Sequence, residues 1–409
     1  MNRFTTLLRR GLLVLAAMLA LPTVALAAKP IVIGVIAPGS AIDGRSIFQG
    51  AELAAADINA SGGINGRKIV LKKFDNHFQA SSTVRAFQRA VQQDHAVAVV
   101  GTFASEDSLA AEPWAVRLKT PFIVTGGAST KITELVHHHW PAYRYVFEEV
   151  INSYYAARQV CQYSHDILVK GLGYKTAVVM SEDADWTKPL DQEYLKCLPK
   201  AGLKVLGHIR FDPSTNDFTP IFDQIQKDNP DVIITGIAHV GAKPTIQWHQ
   251  RQVPMLMAGI SSQAMSGSFW ADTNGAANGV ITQNYGAADA ALTPTTESFS
   301  KRYYKKYGET PTYNAYTTYD SLHVIKAAIE RAKSTKANAL ASALAKTNYV
   351  GTIGRVEFYG PHAKYTHAMK YGQKYVSGVA TQWQNGKEAV VWPKSVATNK
   401  VMVPSYMKH

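Results

Sequence analysis

The chain has 409 residues, and 43 lysines and arginines against 30 aspartates and glutamates give it a formal charge of +13. The cations are dispersed, with no arginine-rich arm, finger or RNP-like aromatic motif, so no nucleic-acid partner is expected. One hydrophobic core rarely serves more than about 300 residues, so two domains are expected, and the only cysteines, Cys161 and Cys197, fit no metal-binding spacing.

In chain order, Arg3, Arg9 and Arg10 make a basic start, residues 11–21 an apolar core too short for a bilayer, and Ala25-Leu26-Ala27 a small-x-small cleavage signal. Residues 1–27 are therefore read as a secretory signal peptide, with export to the periplasm. No cysteine near the cleavage site offers a lipid anchor, and no later run of apolar residues is long enough for a span. An oxidising compartment permits a disulfide between Cys161 and Cys197 without requiring one.

Apolar strands and amphipathic helices then alternate, the order that builds a parallel sheet covered on both faces. Residues 31–36 form the first strand; Ile47, Ala51, Ala54 and Ile58 recur at helical spacing, and Gly62-Gly63 ends that helix. Asn65-Gly66 turns into a strand over 68–74. Ser81 and Ser82 are expected to cap a helix carrying Val84, Phe87 and Val91, and strands over 96–100 and 121–125 follow. Ser105, Glu106 and Asp107 read as N-cap and first turn of a helix at the carboxyl end of the sheet. A helix start there offers unpaired N–H groups to an anion; a plain capped helix is the alternative.

The pattern then restarts: helices near 152–170, 189–200, 218–228 and 245–252 alternate with strands over 176–180, 204–211, 232–235 and 255–258. Helices over 295–307 and 317–333 come next. Residues 360–386, ending in Asn385-Gly386, read as a hairpin. Nucleophile-elbow, phosphate-loop, zincin and dinucleotide motifs are absent, so no enzyme chemistry and no cofactor are expected. His137-His138-His139 lack the i,i+4 spacing that puts two metal ligands on one helical face. The acidic run at 182–185 follows a strand end and reads as a cleft-lining loop.

The segments PIVIGVIAP, GAELAAADINASGGINGRKIVL, VAVVGTFAS, TPFIVTGGAST and AYRYVF, with the later NPDVIITG, RYYKKYGETPTYNAYTTYDSL and VGTIGRVEF, together resemble the leucine/isoleucine/valine-binding type of periplasmic solute-binding protein. The resemblance implies an α/β fold of two Rossmann-like lobes with parallel sheets, joined by a three-segment hinge around a ligand cleft. The lobes would be 28–148 with 285–355, and 149–284 with 356–409. It also implies a monomer that hands a small carboxylate-bearing solute, an amino acid or an aromatic or other organic acid, to the membrane permease of an ABC importer. An amide, urea-like or short-peptide sensor of the same fold, and an exported hydrolase, are the alternatives.

Carried over by matching position, the ligand carboxylate would sit on Ser105, Gly127 and Ser129, with Thr102 and Thr125 as neighbouring candidates and Trp186 as the cleft aromatic of the second lobe. This sequence departs from amino-acid binders in two places. Ala238 and His239 stand where an aromatic is expected. Ile260, Ser261 and Ser262 stand where an acid would pair with the α-ammonium, so His239 and Ser261 become the candidates there. The first loop, APGSAIDGRS, is short and brings Asp43 and Arg45 to the cleft side; Arg45 can supplement a carboxylate site.

Overall fold

The structure is a computed structural model and describes residues 29–407. The signal peptide expected over 1–27 lies outside them. The first sheet has the order β2-β1-β3-β4-β5, with every pairing parallel. β1 (Ile31–Ala37) is almost wholly buried, whereas the edge strand β2 (Ile69–Asp75) is largely open to solvent. That difference is why the run IVIGVIA is apolar throughout and IVLKKFD is not. At Gly34 a Cβ would come within 2.9 Å of the Ala90 Cβ, so glycine lets the covering helix lie close on the sheet. α1 (Ile42–Ala60) and α2 (Ala80–Gln92) flank these strands, followed by β3 (Ala98–Gly101), α3 (Ser105–Arg117), β4 (Phe122–Val124), α4 (Lys131–His138) and β5 (Val146–Glu148).

Two helix starts differ from expectation. α2 begins at Ala80, so Ser81 and Ser82 lie inside it and cap nothing. α3 is preceded by Ala104, and Ser105 is its first helical residue with no capping bond from its side chain. Its hydroxyl is thereby released from the helix end.

α5 (Ser153–Tyr163) opens the second half, with the Asn152 side chain accepting from the Tyr155 N–H, and passes through a π-helical turn over Ser164–Val169 into α6 (Lys170–Leu172). β6 (Thr176–Glu182), α7 (Thr187–Ala201), β7 (Lys204–Phe211), α8 (Thr219–Asp228), β8 (Val232–Ile237), α9 (Lys243–Gln250) and β9 (Leu256–Ser261) build a second parallel sheet of order β7-β6-β8-β9. A disulfide joins Cys161 on α5 to Cys197 on α7, with their Cα atoms 5.9 Å apart.

Beyond the short α10 (Phe269–Asp272) and β10 (Ile281–Asn284), the chain returns through α11 (Thr296–Tyr307) and α12 (Tyr313–Ala332), which packs along α1. α13 (Ala337–Leu344) and the paired β11 (Tyr349–Val350) and β12 (Arg355–Val356) follow. The chain then crosses back to β13 (Val379–Gln384) and β14 (Lys387–Trp392), which extend β10 into a three-stranded antiparallel sheet. The hairpin therefore spans 379–392 and not 360–386. Asn385 and Gly386 both have positive φ, the geometry of a two-residue turn that must lie between its strands and not at their end. The tyrosine-rich stretch before it carries bends and isolated bridges. α12 starts at Tyr313, four residues before the periodicity suggested, and this brings Tyr313 into the cleft.

Candidate functional site

The carboxyl ends of both parallel sheets face each other across a cavity with an empty volume of about 460 Å³. In open α/β sheets this is where ligands collect, because loops and helix starts converge there. The first half contributes Phe103 and Ser105 after β3, Gly126 and Ala128 after β4, and Tyr313 from α12. The second contributes Ile151, Ser153 and Ala156 at the first crossing, Trp186 after β6, Ala238 and His239 after β8, Ile260, Ser262 and Met265 after β9, and Gln283 and Tyr285 from the β10 crossing. The wall is mostly apolar and aromatic. Tyr285 and Tyr313 stack at 4.7 Å, and their hydroxyls are spent on the carbonyls of Ile151 and Gly126, so they offer ring surface to the cavity. A Cβ on Gly126 would meet the Thr102 carbonyl at 2.7 Å and Phe103 Cα at 2.8 Å, which restricts that position to glycine.

One charged pair organises the second half of the site. Glu182 closes β6 and is wholly buried. Its oxygens accept from Trp186 Nε1 at 2.8 Å, from the Ala238 and His239 N–H groups at 3.0 and 2.9 Å, and lie 2.6 Å from His239 Nδ1. Burial alone would raise the Glu182 carboxyl, but the bond and charge of His239, with the two backbone donors, bring it below its ordinary value. Burial likewise works against a charged His239. The bond and charge of Glu182, helped by Glu106 and Asp43, more than offset it and shift the imidazole upward. His239 Nε2 is buried with no hydrogen-bond partner among the described residues. When protonated, the ring presents an Nε2–H to the cavity with no acceptor among the described residues, and no carboxylate lies in the cavity wall. That arrangement can receive an anion in a dry site.

Of the residues expected from sequence, Ser105, Trp186 and His239 line this cavity. The Ser129 N–H donates to Ser105 Oγ at 3.1 Å, which leaves the Ser105 hydroxyl proton for another acceptor. The other six fall outside the wall. Gly127 gives its N–H to the Thr102 carbonyl at 3.3 Å and is not an open donor. Ser129 donates its hydroxyl across the cleft to the Asp185 carbonyl at 3.2 Å. Thr102 sits at φ +62°, unusual for a β-branched residue, and its hydroxyl bonds the Gly101 carbonyl and Ser108 Oγ. Thr125 Oγ1 accepts from Thr318, and the Ser261 N–H donates to Thr282 Oγ1. Arg45 is exposed on α1, on the solvent side of the helix that buries Asp43. These positions brace the turns; they do not face the cavity.

Sequence reasoning placed Glu182 in a cleft-lining acidic loop without assigning it a role, and missed Phe103, Tyr285 and Tyr313. An acid ending the buried run VVMSE was the available signal for Glu182, since a strand covered on both faces carries a carboxylate only when it is paired. The neighbouring Asp183 is exposed and paired with Arg210.

The halves touch across the cleft mouth. Asp185 donates its N–H to Glu106 at 2.8 Å and pairs with Lys131 at 2.9 Å, while Gln263 Nε2 donates to Asp43 Oδ2 at 3.3 Å. No group of three or more His, Cys, Asp or Glu among the described residues could hold a metal ion, and no helix among them is long and apolar enough to cross a membrane.

Comparisons with known proteins agree with this geometry. A family model described as periplasmic binding protein matches residues 30–376. The Leu/Ile/Val-binding protein homolog 7 of Brucella suis is 25% identical over 389 residues, covering 89% of this chain and 91% of the relative. Among solved structures, the branched-chain amino acid transporter substrate-binding protein LivJ of Streptococcus pneumoniae, in complex with isoleucine, superposes with a TM-score of 0.76 at 21% identity, over 89% of this chain and all of that one. A solute-binding protein of an ABC transporter from R. palustris, in complex with benzoate, gives 0.75 at 17% identity over 92% and 99% of the two chains.

Proposed function

The chain belongs to the periplasmic binding protein family, and from that premise we propose that it captures a small carboxylate-bearing solute with an apolar or aromatic body, by closure of its two halves. It delivers the solute to the membrane permease of an ABC importer, acting as an exported monomer without a cofactor. The observation that carries this reading is the buried, unpartnered His239 Nε2, on a ring whose protonated form Glu182 favours, in the same cavity as the free Ser105 hydroxyl. A carboxylate bridging these two groups satisfies both, and a charge-assisted bond of this kind contributes on the order of 1.5–3 kcal/mol.

The remaining wall argues about the rest of the solute. Trp186, Phe103, Tyr313, Ile260 and Met265 supply apolar contact and ring faces. Ile260 stands where an acid could have met an α-ammonium, and a buried ammonium without a partner is costly. Relatives of this fold are described with isoleucine and with benzoate, two carboxylates with different bodies; the wall here favours the acid without the amino group. Calorimetry on the mature chain with 3-phenylpropionate and phenylalanine tests the reading, and the acid is expected to bind at least as tightly. A clear preference for phenylalanine would refute the ammonium argument. Mass spectrometry of whatever denatured, freshly purified protein releases should find a carboxylic acid, and a released sugar, amide or cation would overturn the reading.

A further inference from the structure

His77 and Phe78, in the loop between β2 and α2, both have left-handed backbone, at φ +52° and +55°. For a phenylalanine this is an outlier, and neither position holds the glycine or asparagine that would lessen its cost. The loop's own bonds hold it there. Asn76, wholly buried, donates from Nδ2 to Thr83 Oγ1 at 2.8 Å and to Asp107 Oδ2 at 2.7 Å, the His77 N–H donates to Asp75 Oδ1 at 2.9 Å, and the Gln79 N–H to the Asn76 carbonyl at 2.9 Å. Strain that its surroundings over-determine in this way collects at functional positions. What the turn achieves is to present the Phe78 ring, 39% exposed, to the other half of the molecule. The ring centroid lies 6.0 Å from that of Phe103 at 79° and 6.3 Å from that of His239 at 77°, and Phe103 and His239 are 5.7 Å apart at 64°. Three rings thus meet edge to face, two from the first half and one from the second.

His239 also separates two spaces. On one side is the cavity, which it lines with Phe103; on the other is an outer recess with an empty volume of about 810 Å³, lined by Phe78, Pro213, Glu106, Asp107 and Asp183 as well as His239 itself. Phe78 stands on the recess side of that wall. We propose that Phe78 is a positioning residue for anion binding: with Phe103 it fixes the His239 ring from the first half, and it keeps the water and carboxylates of the recess from competing for that ring. The inference rests on the reading that the solute's carboxylate sits on His239. A charge-assisted bond gains strength where water is excluded, so a cap on the imidazole acts on the charged end of the solute and leaves its apolar body untouched. The strained backbone is then the means of bringing an aromatic ring from the first half over a histidine of the second.

The test is calorimetry at fixed pH on the mature chain and its Phe78→Asn and Phe78→Tyr variants, with benzoate as the probe and benzamide, its uncharged isostere, read by competition against benzoate. Asparagine accepts left-handed backbone, so Phe78→Asn removes the ring while the turn is kept. It is expected to weaken benzoate about five- to tenfold and to change benzamide by no more than about twofold, so that the preference for the anion shrinks. Phe78→Tyr keeps the ring and should bind benzoate within about twofold of the native protein. Phe78→Gly, which also takes this backbone freely, decides the matter if the asparagine variant does not fold. The proposal is overturned if removing the ring leaves benzoate affinity unchanged, if benzoate and benzamide weaken in parallel, as loss of a general packing contact would make them, or if tyrosine fails to restore binding. Failure of the native protein to bind benzoate would remove the carboxylate reading and this proposal together. A preference for benzoate that His239→Gln abolishes and Phe78→Asn leaves intact would remove this one alone.

Discussion

Glu182→Gln is the most informative single change, because it preserves shape and removes the charge that shifts His239 upward. In the native protein the imidazole is raised above its ordinary value of 6.5 and the carboxyl lowered below 4.5. The stabilisation from the raised histidine is fully present below about 6.5 and is lost as pH rises through its folded value. That from the lowered carboxyl is present above 4.5 and is lost as pH falls through its folded value. The pair is therefore intact between the two folded values, and carboxylate binding should weaken as pH rises through that of His239. In Glu182→Gln the largest upward influence on His239 is gone while burial still pulls it down, so the ring loses its proton at a lower pH than in the native protein. One charge-assisted bond of about 1.5–3 kcal/mol is lost, a fall of about 10- to 150-fold in affinity. The glutamine amide must also turn its N–H₂ toward Ala238, His239 or Trp186 donors, so stability should drop by about 1–3 kcal/mol. Calorimetry with benzoate from pH 5.5 to 9, beside thermal melts, measures both. A folded Glu182→Gln protein that binds benzoate as the native one does at every pH from 5.5 to 9 would refute the assignment of His239 as the anion donor.

Three further outcomes are expected. Glu112 is buried with neither oxygen bonded among the described residues, and burial with the nearby Glu148 raises it well above 4.5. Its cost is thus small below pH 4.5 and grows as pH rises, and Glu112→Met should stabilise the protein by about 1–3 kcal/mol at pH 8 and by less at pH 4 in thermal melts. Reducing Cys161–Cys197 opens a loop with a sequence separation of 36, worth about 4 kcal/mol on the loop-entropy model, so melting with and without reductant should show a clear drop. Lys131→Ala removes a half-exposed ion pair with Asp185 at the cleft mouth, which should weaken benzoate binding by no more than about fivefold in the same calorimetry, far less than Glu182→Gln.

The sheets were legible because strands buried on both faces need unbroken apolar runs, and VAVVG, TAVVM and DVIITG have them. The antiparallel end was not, because Asn385-Gly386 marks a turn without saying which flanking segment supplies each strand. In the site, Ser105, Trp186 and His239 were legible as residues at the carboxyl ends of strands. Thr102, Thr125, Ser129 and Gly127 look identical at that level. What separates them is where each hydrogen bond goes: the Gly127 N–H is taken by the Thr102 carbonyl of the neighbouring turn and the Thr125 hydroxyl by Thr318 on α12, and spacing along the chain carries no record of that. Asp43 and Glu182 are the clearest case. Sequence gives two acids near loops, and only burial with a count of bonded oxygens tells a saturated carboxylate from one with an oxygen to spare.

The same accounting bears on closure. The polar contacts joining the halves, Asp185 with Glu106, Ser129 and Lys131, and Asp43 with Gln263, lie at or near the cleft mouth; such bonds contribute about 1 kcal/mol each at most. They can bias the equilibrium but hardly fix it. A solute shifts it only by binding the closed form more strongly than the open one. On the proposed reading the anion donors are divided, Ser105 on the first half and His239 on the second, so an open molecule offers either but not both. The second bond, with apolar contact to the solute from Trp186 on one side and Phe103 and Tyr313 on the other, is available only on closure. A bond of about 1.5–3 kcal/mol plus apolar contact of about 2–3 kcal/mol approaches the 5.5 kcal/mol or so needed to turn a 1:99 mixture into 99:1. Ser105→Ala should therefore loosen closure as well as affinity, and small-angle scattering with saturating benzoate would show a mixture of open and closed forms where the native protein is uniformly closed.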